Sequence, residues 1–412
     1  MKYIIIAIIS LIFISGCKKD DKPGPVPVQQ EIMKLNFTND FIPDPFKVIV
    51  SISLPDGSLY ADTSFSDNGT HSVMTETATD SVPASFSVTI IRYDLYWHNV
   101  LIQMNTFQDV SKGEWTIAGI YADTIGQATV SMENIPEHSG LILYSNQGYY
   151  NYTTSVNPQT CRIYADPDDF YLKMKTSAGQ RFKWLSNFSA GNQYTLDLSS
   201  MEVPDSSEVS FPFSAGYYEA RLWGFANDDY ELSKAFLFDM VLAGLQPKDK
   251  VMLNYPPGEF TNYRTYMLLR ESFVTNTEYF CNTIGAIPTA FTSIDATISD
   301  AQLSGNVITL STSGQYDSEK AYLYYSTPAN EIFEWNIYAP ANSANIIVPE
   351  ISPLLVETFP SSDTAHFELR NSELIDFDGI NSYGEMIQAL FSNDLPRDIN
   401  QLDYHSVVQL EE

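Results

Sequence analysis

Short apolar runs, many of them alternating with polar residues, recur along nearly all of the 412-residue chain. Residues 46–54 and 251–255 are examples, and turn sequences such as Asp67-Asn68-Gly69 separate the runs. Alternation with a period of two is typical of a strand that buries one face. Many short strands with regular turns predict an all-β protein built of tandem β-sandwiches, and they argue against βαβ units.

Two segments depart from this pattern. Residues 233–245 are continuously apolar, which fits a helical turn or a buried strand, and we favour the strand. Ser382, followed three residues later by Glu385, matches a capping box at the start of a helix. Apolar residues follow at helical spacing: Met386, Ile387, Leu390 and Phe391. We therefore expect one short helix over about residues 383–392.

The number of residues suggests several domains, since a typical domain has ~100–200 residues. Two segments echo each other, because residues 59–63 read LYADT and residues 120–124 read IYADT. We divide the folded part into four β modules and place the short helix in the last of them. The predicted modules are residues 32–118, 119–203, 204–298 and 299–412.

The first residues match a secretory signal peptide. Lys2 gives a positive start, residues 4–14 form an apolar run, and small residues precede Cys17. The run is shorter than the ~20 apolar residues that a membrane-spanning helix needs. We assign residues 1–16 to a cleaved signal peptide.

Ile14-Ser15-Gly16-Cys17 resembles the lipobox of bacterial lipoproteins. The resemblance implies that the Cys17 thiol receives a diacylglyceryl group, that cleavage precedes it, and that its new amine is acylated, for example with palmitate. Two or more acyl chains anchor a protein stably to a membrane, at ~0.8 kcal/mol per buried methylene. The alternative is an ordinary signal peptide with a chance cysteine.

Lys18, Lys19, Asp20 and Asp21 follow directly after this cysteine. Basic residues followed by paired acids resemble the export signal that sends Bacteroidota lipoproteins to the outer face of the outer membrane. The alternative is a solvated charge cluster that opens a linker. Residues 17–31 are the predicted tether, since their Pro-rich part favours extended polyproline II, a semi-rigid spacer.

A D-x-x-G-x-A-x-V stretch begins at Asp123, and Asn134-Ile135-Pro136 follows it. Through these motifs, residues 119–144 resemble the carboxypeptidase-regulatory and transthyretin-like β-sandwich modules of Bacteroidota surface proteins. The resemblance implies Ig-like or transthyretin-like sandwiches that act as a scaffold or present a ligand. It carries over no catalytic residue.

The chain has 22 Lys and Arg against 51 Asp and Glu, a formal net charge of −29. Such a field repels nucleic-acid phosphates, which excludes nucleic acid as a partner. Besides the predicted lipidation site, two cysteines remain, Cys161 and Cys281. The sequence leaves open whether they form a disulfide or stay as buried thiols.

No pattern of catalytic or metal-binding residues stands out. The five histidines lack the HxH and HExxH spacings of metal sites, and the chain has neither a GxSxG elbow nor a phosphate-binding glycine loop. Residues 376–381 resemble a calcium loop only faintly, because the fifth and sixth positions fail the EF-hand spacing. We therefore predict no catalytic residue, no metal and no cofactor, and we interpret the acidic loops as solvated turns.

Tyr149, Tyr150 and Tyr152 lie in a Gly/Asn-rich stretch that is typical of a loop. Exposed aromatic rings stack on the C–H faces of sugars, so these tyrosines are the predicted ligand-binding residues. The alternative is that they pack in a core. A second aromatic cluster, residues 93–98, is interpreted as part of a sandwich core or edge.

Three tripeptides match the acceptor pattern of the Bacteroidota O-glycosylation system, Asp, then Ser or Thr, then a small or aliphatic residue. Their acceptors are Ser81, Thr124 and Thr364. A pattern this short also occurs by chance. As a set, the three agree with an exported protein.

These features predict a lipoprotein of the outer membrane, lipid-anchored at the cell surface, with a non-catalytic role in binding or adhesion. The ligand is a glycan or a protein. The alternative is a structural or accessory subunit of a surface assembly such as a fimbria-like structure. The third hypothesis is a hydrolase with a site that the sequence does not reveal, and an enzyme is less favoured than a binding protein.

Overall fold

The computed structural model describes residues 28–38, 41–42, 46–77, 82–96, 99–119, 125–145, 150–152, 157–164, 166–225, 234–258, 260–272, 274–328, 330–362, 367–392 and 402–411. These residues form 25 strands and two helices. The prediction of an all-β sandwich protein is therefore confirmed.

In the first half of the chain the strands are β1 (Val28–Thr38), β2 (Val48–Ser53), β3 (Leu59–Phe65), β4 (Gly69–Thr77), β5 (Ser85–Tyr96), β6 (Asn99–Ser111), β7 (Gly113–Ala118), β8 (Gly126–Glu133), β9 (Gly140–Ser145), β10 (Tyr150–Tyr152), β11 (Gln159–Ile163), β12 (Asp168–Thr176), β13 (Gly179–Phe188) and β14 (Gln193–Asp197). In the second half they are β15 (Asp205–Phe225), β16 (Lys234–Tyr255), β17 (Asn262–Arg270), β18 (Thr277–Gly285), β19 (Ala296–Ser304), β20 (Val307–Gly314), β21 (Ser318–Ser326), β22 (Glu331–Pro340), β23 (Ile346–Ile347), β24 (Glu368–Phe377) and β25 (Tyr404–Leu410). The helices are α1 (Pro353–Thr358) and α2 (Tyr383–Ser392).

Twelve strands form one sheet in the order β16-β15-β17-β18-β25-β24-β21-β22-β6-β5-β2-β3. All neighbours in it are antiparallel except β22 and β6, which run parallel. β16 and β3 are the two edge strands. This sheet is the frame on which the smaller sheets pack.

The sheet β4-β1-β7 covers one face of this frame. Leu35 and Val73 of the small sheet share a buried core with Val50 and Val88 of the frame. Alternate residues of a strand point to opposite faces, so one strand can serve two cores. The neighbour of Val50, Ile49, accordingly points into a different core.

That second core lies on the opposite face of the frame. The sheet β19-β20-β23 and helix α1 supply Ile308, Ile346 and Leu355 to it, and the frame supplies Ile49 and Trp335. The centre of the frame is therefore buried on both faces. This explains why strands there read as apolar runs with little alternation.

Residues 126–197 build a separate pair of sheets, β10-β9-β12-β13 and β11-β8-β14, whose core includes Val130 and Leu172. The outer face of the first of these sheets packs on the frame, where Tyr144 and Tyr171 join the core of Leu222. The frame thus packs against this sheet as well as against β4-β1-β7 and β19-β20-β23.

Cys161 and Cys281 are both free, buried thiols. Cys161 belongs to the core between the two sheets of residues 126–197, and Cys281 to the core of β15–β18. Of the two alternatives that the sequence left open, the structure shows buried thiols. Burial raises the pKa of each thiol to about 12.

The predicted helix is confirmed as α2, and the side chains of Ser382 and Glu385 both cap its start. The Glu385 amide donates to Ser382 Oγ at 3.2 Å, and the Asn381 amide donates to Glu385 Oε2 at 2.9 Å. Its apolar face is buried in the first core.

Helix α1 was not anticipated, because its six residues are too few to show helical periodicity. Among the described residues, no helix has the length and apolar character needed to cross a bilayer.

The predicted strand in residues 233–245 is confirmed as part of β16. The four-module division remains a prediction, but three of the predicted modules contribute strands to one sheet. Strand β6 of predicted module 32–118 pairs in parallel with β22 of module 299–412. Strand β18 of module 204–298 pairs antiparallel with β25 of that same C-terminal module. The edges of these modules are therefore paired with one another.

Candidate binding face

One face of the frame is polar and aromatic where β15, β17, β18, β25, β24 and β21 lie side by side. The pairing registers place Tyr217 opposite Arg270 and Arg221 opposite Tyr266, and residues directly opposite each other share a face. Ten residues on this side, half-buried or buried, define what we call the polar face: Tyr217, Glu219, Arg221, Tyr266, Arg270, Glu278, Lys320, Tyr322, Tyr324 and Glu373.

The sequence folds this way because alternation in these strands separates two kinds of side chain. In β15, Tyr218, Ala220 and Leu222 point into the core, and the residues between them carry the polar face. In β21, Ala321 and Leu323 are fully buried. Here the frame is held by its apolar side, and the opposite side carries charges and phenols next to the first core, which contains Ile375 and Phe377 from the same face of β24 as Glu373.

Ion pairs between strands, and one within β15, hold the charged groups of the polar face. Arg270 pairs with Glu278, and Arg221 pairs with Glu219. Lys320 Nζ lies 2.9 Å from Glu373 Oε2, and Ser406 Oγ donates to the other oxygen of that carboxylate at 2.6 Å.

The charge of Lys320 is maintained despite its burial. Burial acts against the ammonium, but the Glu373 carboxylate outweighs it and raises the pKa of Lys320 above its ordinary value. The side chains of the pair are 17% and 9% exposed, so solvent screens their attraction little. The Lys320 ammonium therefore stays charged over the physiological pH range.

Cations also lie over the rings of this region. Arg221 lies 5.7 Å from the ring centroid of Tyr266, and Arg270 lies 5.7 Å from that of Tyr217. Burial raises the pKa of Tyr266, and burial together with Glu334 raises that of Tyr322. These phenols stay protonated and can donate a hydrogen bond. The polar face thus offers ring surfaces beside fixed donors and acceptors.

Of the predicted ligand-binding tyrosines, Tyr149 lies outside the described residues. Tyr150 and Tyr152 form part of strand β10, where they pair with Tyr144 and Ile142. The prediction of a loop is wrong at these two positions, because the segment adds a short strand to the edge of a sheet. Nothing in the described residues tests their role in binding.

The second aromatic cluster is partly described. Tyr93 contacts Phe359 edge to face, with 5.3 Å between ring centroids, and packs against the second core. This agrees with its interpretation as core. Trp97 and His98 lie outside the described residues.

The remaining predicted sites also lie outside the described residues. They are the lipidation site Cys17, the export signal Lys18, Lys19, Asp20 and Asp21, and the glycosylation acceptors Ser81, Thr124 and Thr364. All of them remain predictions.

The structure brings together two groups of polar residues that could not be recognised as groups in the sequence. The polar face was missed, although the alternation of polar and apolar residues in β15 could have revealed it. Asp378, Asp403 and His405 place one ligand atom each within 4.8 Å of one another. Their spacing along the chain resembles no metal motif, since only the pairing of β24 with β25 brings them together.

No family model matches the chain, and no curated protein matches it. Among solved structures, the Bacillus anthracis TIE protein matches at 10% identity over 75% of this chain and 67% of its own, with a TM-score of 0.14. The N-terminal four Ig domains of Dscam1 isoform 1.9 match at 8% identity over 85% of this chain and 95% of theirs, with a TM-score of 0.14. At such scores neither likeness carries an argument about fold or function.

Proposed function

We propose that the chain is a lipid-anchored protein of the bacterial cell envelope, exposed at the cell surface, that binds a glycan without catalysing a reaction. The acyl chains of Cys17 hold it in the outer membrane, and the residues between Cys17 and strand β1 separate the folded body from that membrane. This tether is shorter than the predicted residues 17–31, because residues 28–31 belong to β1 and pair with β4. The ligand lies on the polar face of the frame.

The anchor is supported by the residues that surround Cys17. A positive start, a short apolar run, a lipobox-like tetrapeptide and an acidic export-like signal occur in the order that a surface lipoprotein requires.

The polar face is the observation that carries the binding role. Half-buried ion pairs contribute little to folding, because the cost of desolvating both charges offsets their attraction. A row of them beside tyrosine rings is therefore poorly explained by stability. The same arrangement is well suited to recognition, because its donors, acceptors and rings are held in place before the ligand arrives.

A glycan fits this chemistry better than a flat apolar partner does. Tyrosine rings stack on the C–H faces of sugar rings, and carboxylate and guanidinium groups bond to sugar hydroxyls. Tyr322 and Tyr324 lie on the same face of one strand, beside the Lys320–Glu373 pair. Together they form a stacking platform with charged groups next to it.

A glycan array probed with the full chain tests the proposal. We expect saturable binding to one class of glycan, and loss of that binding in Tyr322→Ala/Tyr324→Ala. Tyr194→Ala, which removes a ring from the separate sandwich of residues 126–197, is the matched control and should leave binding intact. Loss of binding in Tyr149→Ala/Tyr150→Ala alone would move the site to the tyrosines predicted from the sequence, and no binding at all would refute the glycan proposal.

A subunit of a surface assembly is the second candidate, favoured by one observation. β16 is an edge of the frame, is 22 residues long, and is paired on one side by β15. A free edge can accept a strand from another chain. The exposed Lys248, Asp249 and Lys250 oppose this, since charges on an edge discourage pairing. Cross-linking in intact envelopes that gives ladders of this chain through β16 would support assembly.

A hydrolase is the third candidate. It needs two carboxyl groups in different protonation states beside a bound substrate. Burial, with nearby carboxylates, raises the pKa of both Asp376 and Asp403, so these two groups do not show the opposite shifts that this candidate needs. Cleavage of a bound glycan that is abolished in Asp376→Asn would favour this candidate over a binding protein.

A further inference from the structure

Two neighbouring strands of the frame bring three potential metal ligands together at one end. Asp378 follows the last residue of β24, and Asp403 precedes the first residue of β25. The Asp378 amide donates to the Asp403 carbonyl at 2.9 Å, which fixes the two chain segments to each other. His405 is the second residue of β25 and lies opposite Asp376 on one side and Cys281 on the other. The backbone therefore holds all three side chains at the same place.

The separations of the three groups suit a small cation. His405 Nε2 lies 3.5 Å from Asp378 Oδ2, which is too long for a strong hydrogen bond. Ligand atoms at the ~2.0–2.1 Å bond lengths of tetrahedral Zn²⁺ are about 3.3 Å apart along each edge of the tetrahedron. All three potential ligand atoms lie within 4.8 Å of one another. The side chain of Asp378 is 62% exposed, so it is free to move inward to close the set.

Two polar atoms of this cluster have no partner in the described part of the chain. Asp403 Oδ1 and His405 Nδ1 are both excluded from solvent and make no hydrogen bond there. His405 is 8% exposed, so water does not compensate for the missing bonds. Buried polar atoms are nearly always satisfied, and each exception calls for an explanation such as a bound ion. A cation bound by His405 Nε2 and the two carboxylates supplies Asp403 Oδ1 with a partner and orients the imidazole, while Nδ1, on another side of the ring, is not explained by it.

The charge around the cluster is strongly negative. Asp376 lies opposite His405 in the pairing of β24 with β25, and Asp317 lies next to Asp376. Four carboxyl groups thus surround one imidazole. Among the described residues, the ion pair of Asp378 is with His405, which is charged only when protonated. A bound divalent cation would relieve this repulsion.

We propose that Asp378, Asp403 and His405 bind a divalent transition-metal cation of the Zn²⁺ type. The imidazole decides between metal classes, because Ca²⁺ and Mg²⁺ take oxygen ligands, whereas Zn²⁺ accepts nitrogen and carboxylate oxygen together. Three protein ligands leave one tetrahedral position on the side of the exposed Asp378. The ion joins the end of β24 to the start of β25. This site is independent of the polar face.

Calorimetric titration of ZnCl₂ into the full chain, previously treated with EDTA and dialysed, tests the proposal. We expect one equivalent to bind and the thermal midpoint to rise, with at least about tenfold weaker binding in Asp378→Asn. Asp378 is exposed, so this variant should fold normally. Asp249→Asn is the matched control, since it removes the same charge from another exposed aspartate and should leave binding unchanged.

Three results would overturn the proposal. One is the absence of stoichiometric Zn²⁺ binding, and another is equal affinity in Asp378→Asn and the wild type. The third is Ca²⁺ binding at this cluster as tight as that of Zn²⁺, because it would show that His405 is not a ligand. Unchanged Zn²⁺ affinity in His405→Gln, with a normal unfolding transition, would lead to the same conclusion.

Discussion

Ser352 Oγ lies 2.8 and 2.9 Å from the two carboxylate oxygens of Asp62 and shares its single hydroxyl proton between them, across 290 residues of chain. Asp62 lies on edge strand β3, and Ser352 is the N-cap of helix α1. The Leu354 amide also donates to Asp62 at 3.1 Å. A carboxylate at a helix N-terminus satisfies amides that have no partner within the helix. This contact joins the N-terminal edge of the frame to the helix that covers its second core.

Asp62→Ala should therefore lower the free energy of unfolding by about 1–2 kcal/mol, the usual cost of losing a helix cap. Urea unfolding of the full chain measures this. Asp67→Ala is the control, because Asp67 is 74% exposed and its ion pair with His71 is long, at 3.9 Å. Equal stability of Asp62→Ala and the control would show that the contact does not support the fold.

Glu319 should make stability depend on pH. It is 1% exposed, and burial raises the pKa of its carboxyl above the ordinary value of 4.5, although Tyr316 donates to it at 2.9 Å. Between the unfolded and folded pKa values the native state binds more protons, so stability falls as pH rises through that window.

Glu319→Gln removes this titration. We expect the variant to lose less stability than the wild type as pH rises from 4.5 toward neutrality, as measured by urea unfolding at a series of pH values. Parallel curves for the two proteins would contradict the raised pKa.

The two buried thiols should be unreactive in the native protein. Burial raises the pKa of Cys161 and of Cys281 to about 12, so the thiolate is scarce at neutral pH. A thiol reagent such as DTNB should label neither in buffer and both in denaturant. A drop in thermal midpoint on adding a reductant would instead indicate a disulfide.

Cys17 should carry the lipid. Radiolabelled palmitate fed to expressing cells should be incorporated into the wild-type chain, and Cys17→Ser should lose the label and leave the membrane fraction. Cys161→Ser is the matched control and should keep the label, since that thiol is buried in a core. Incorporation into Cys17→Ser would refute the proposed anchor.

Local sequence signals were sufficient for the elements that depend on near neighbours. The capping box at Ser382 and Glu385 predicted helix α2, and the apolar run of residues 233–245 predicted a strand of the frame. The frame itself could not be predicted, because its strand order depends on pairing between strands that are far apart in the sequence. Asn336 donates to Asn105 across 231 residues, at the parallel junction of β22 and β6.

The candidate sites divide in the same way. The polar face follows from the alternation of buried and less buried residues in β15 and β21, so its residues could be predicted once the strands were assigned. The proximity of Asp378 and His405 could not be predicted from the sequence, since it depends on which strands of the frame are neighbours. A chain with 51 acidic residues offers many such pairs, and only the fold selects one.

The affinity of the full chain for its best glycan on the array, measured by calorimetry, tests the binding role of the polar face most directly. Loss of two stacking rings in Tyr322→Ala/Tyr324→Ala should weaken binding by about 5- to 150-fold, because each ring contributes ~0.5–1.5 kcal/mol. Tyr194→Ala should bind as the wild type does. Equal affinity in all three proteins would show that the polar face is not the binding site.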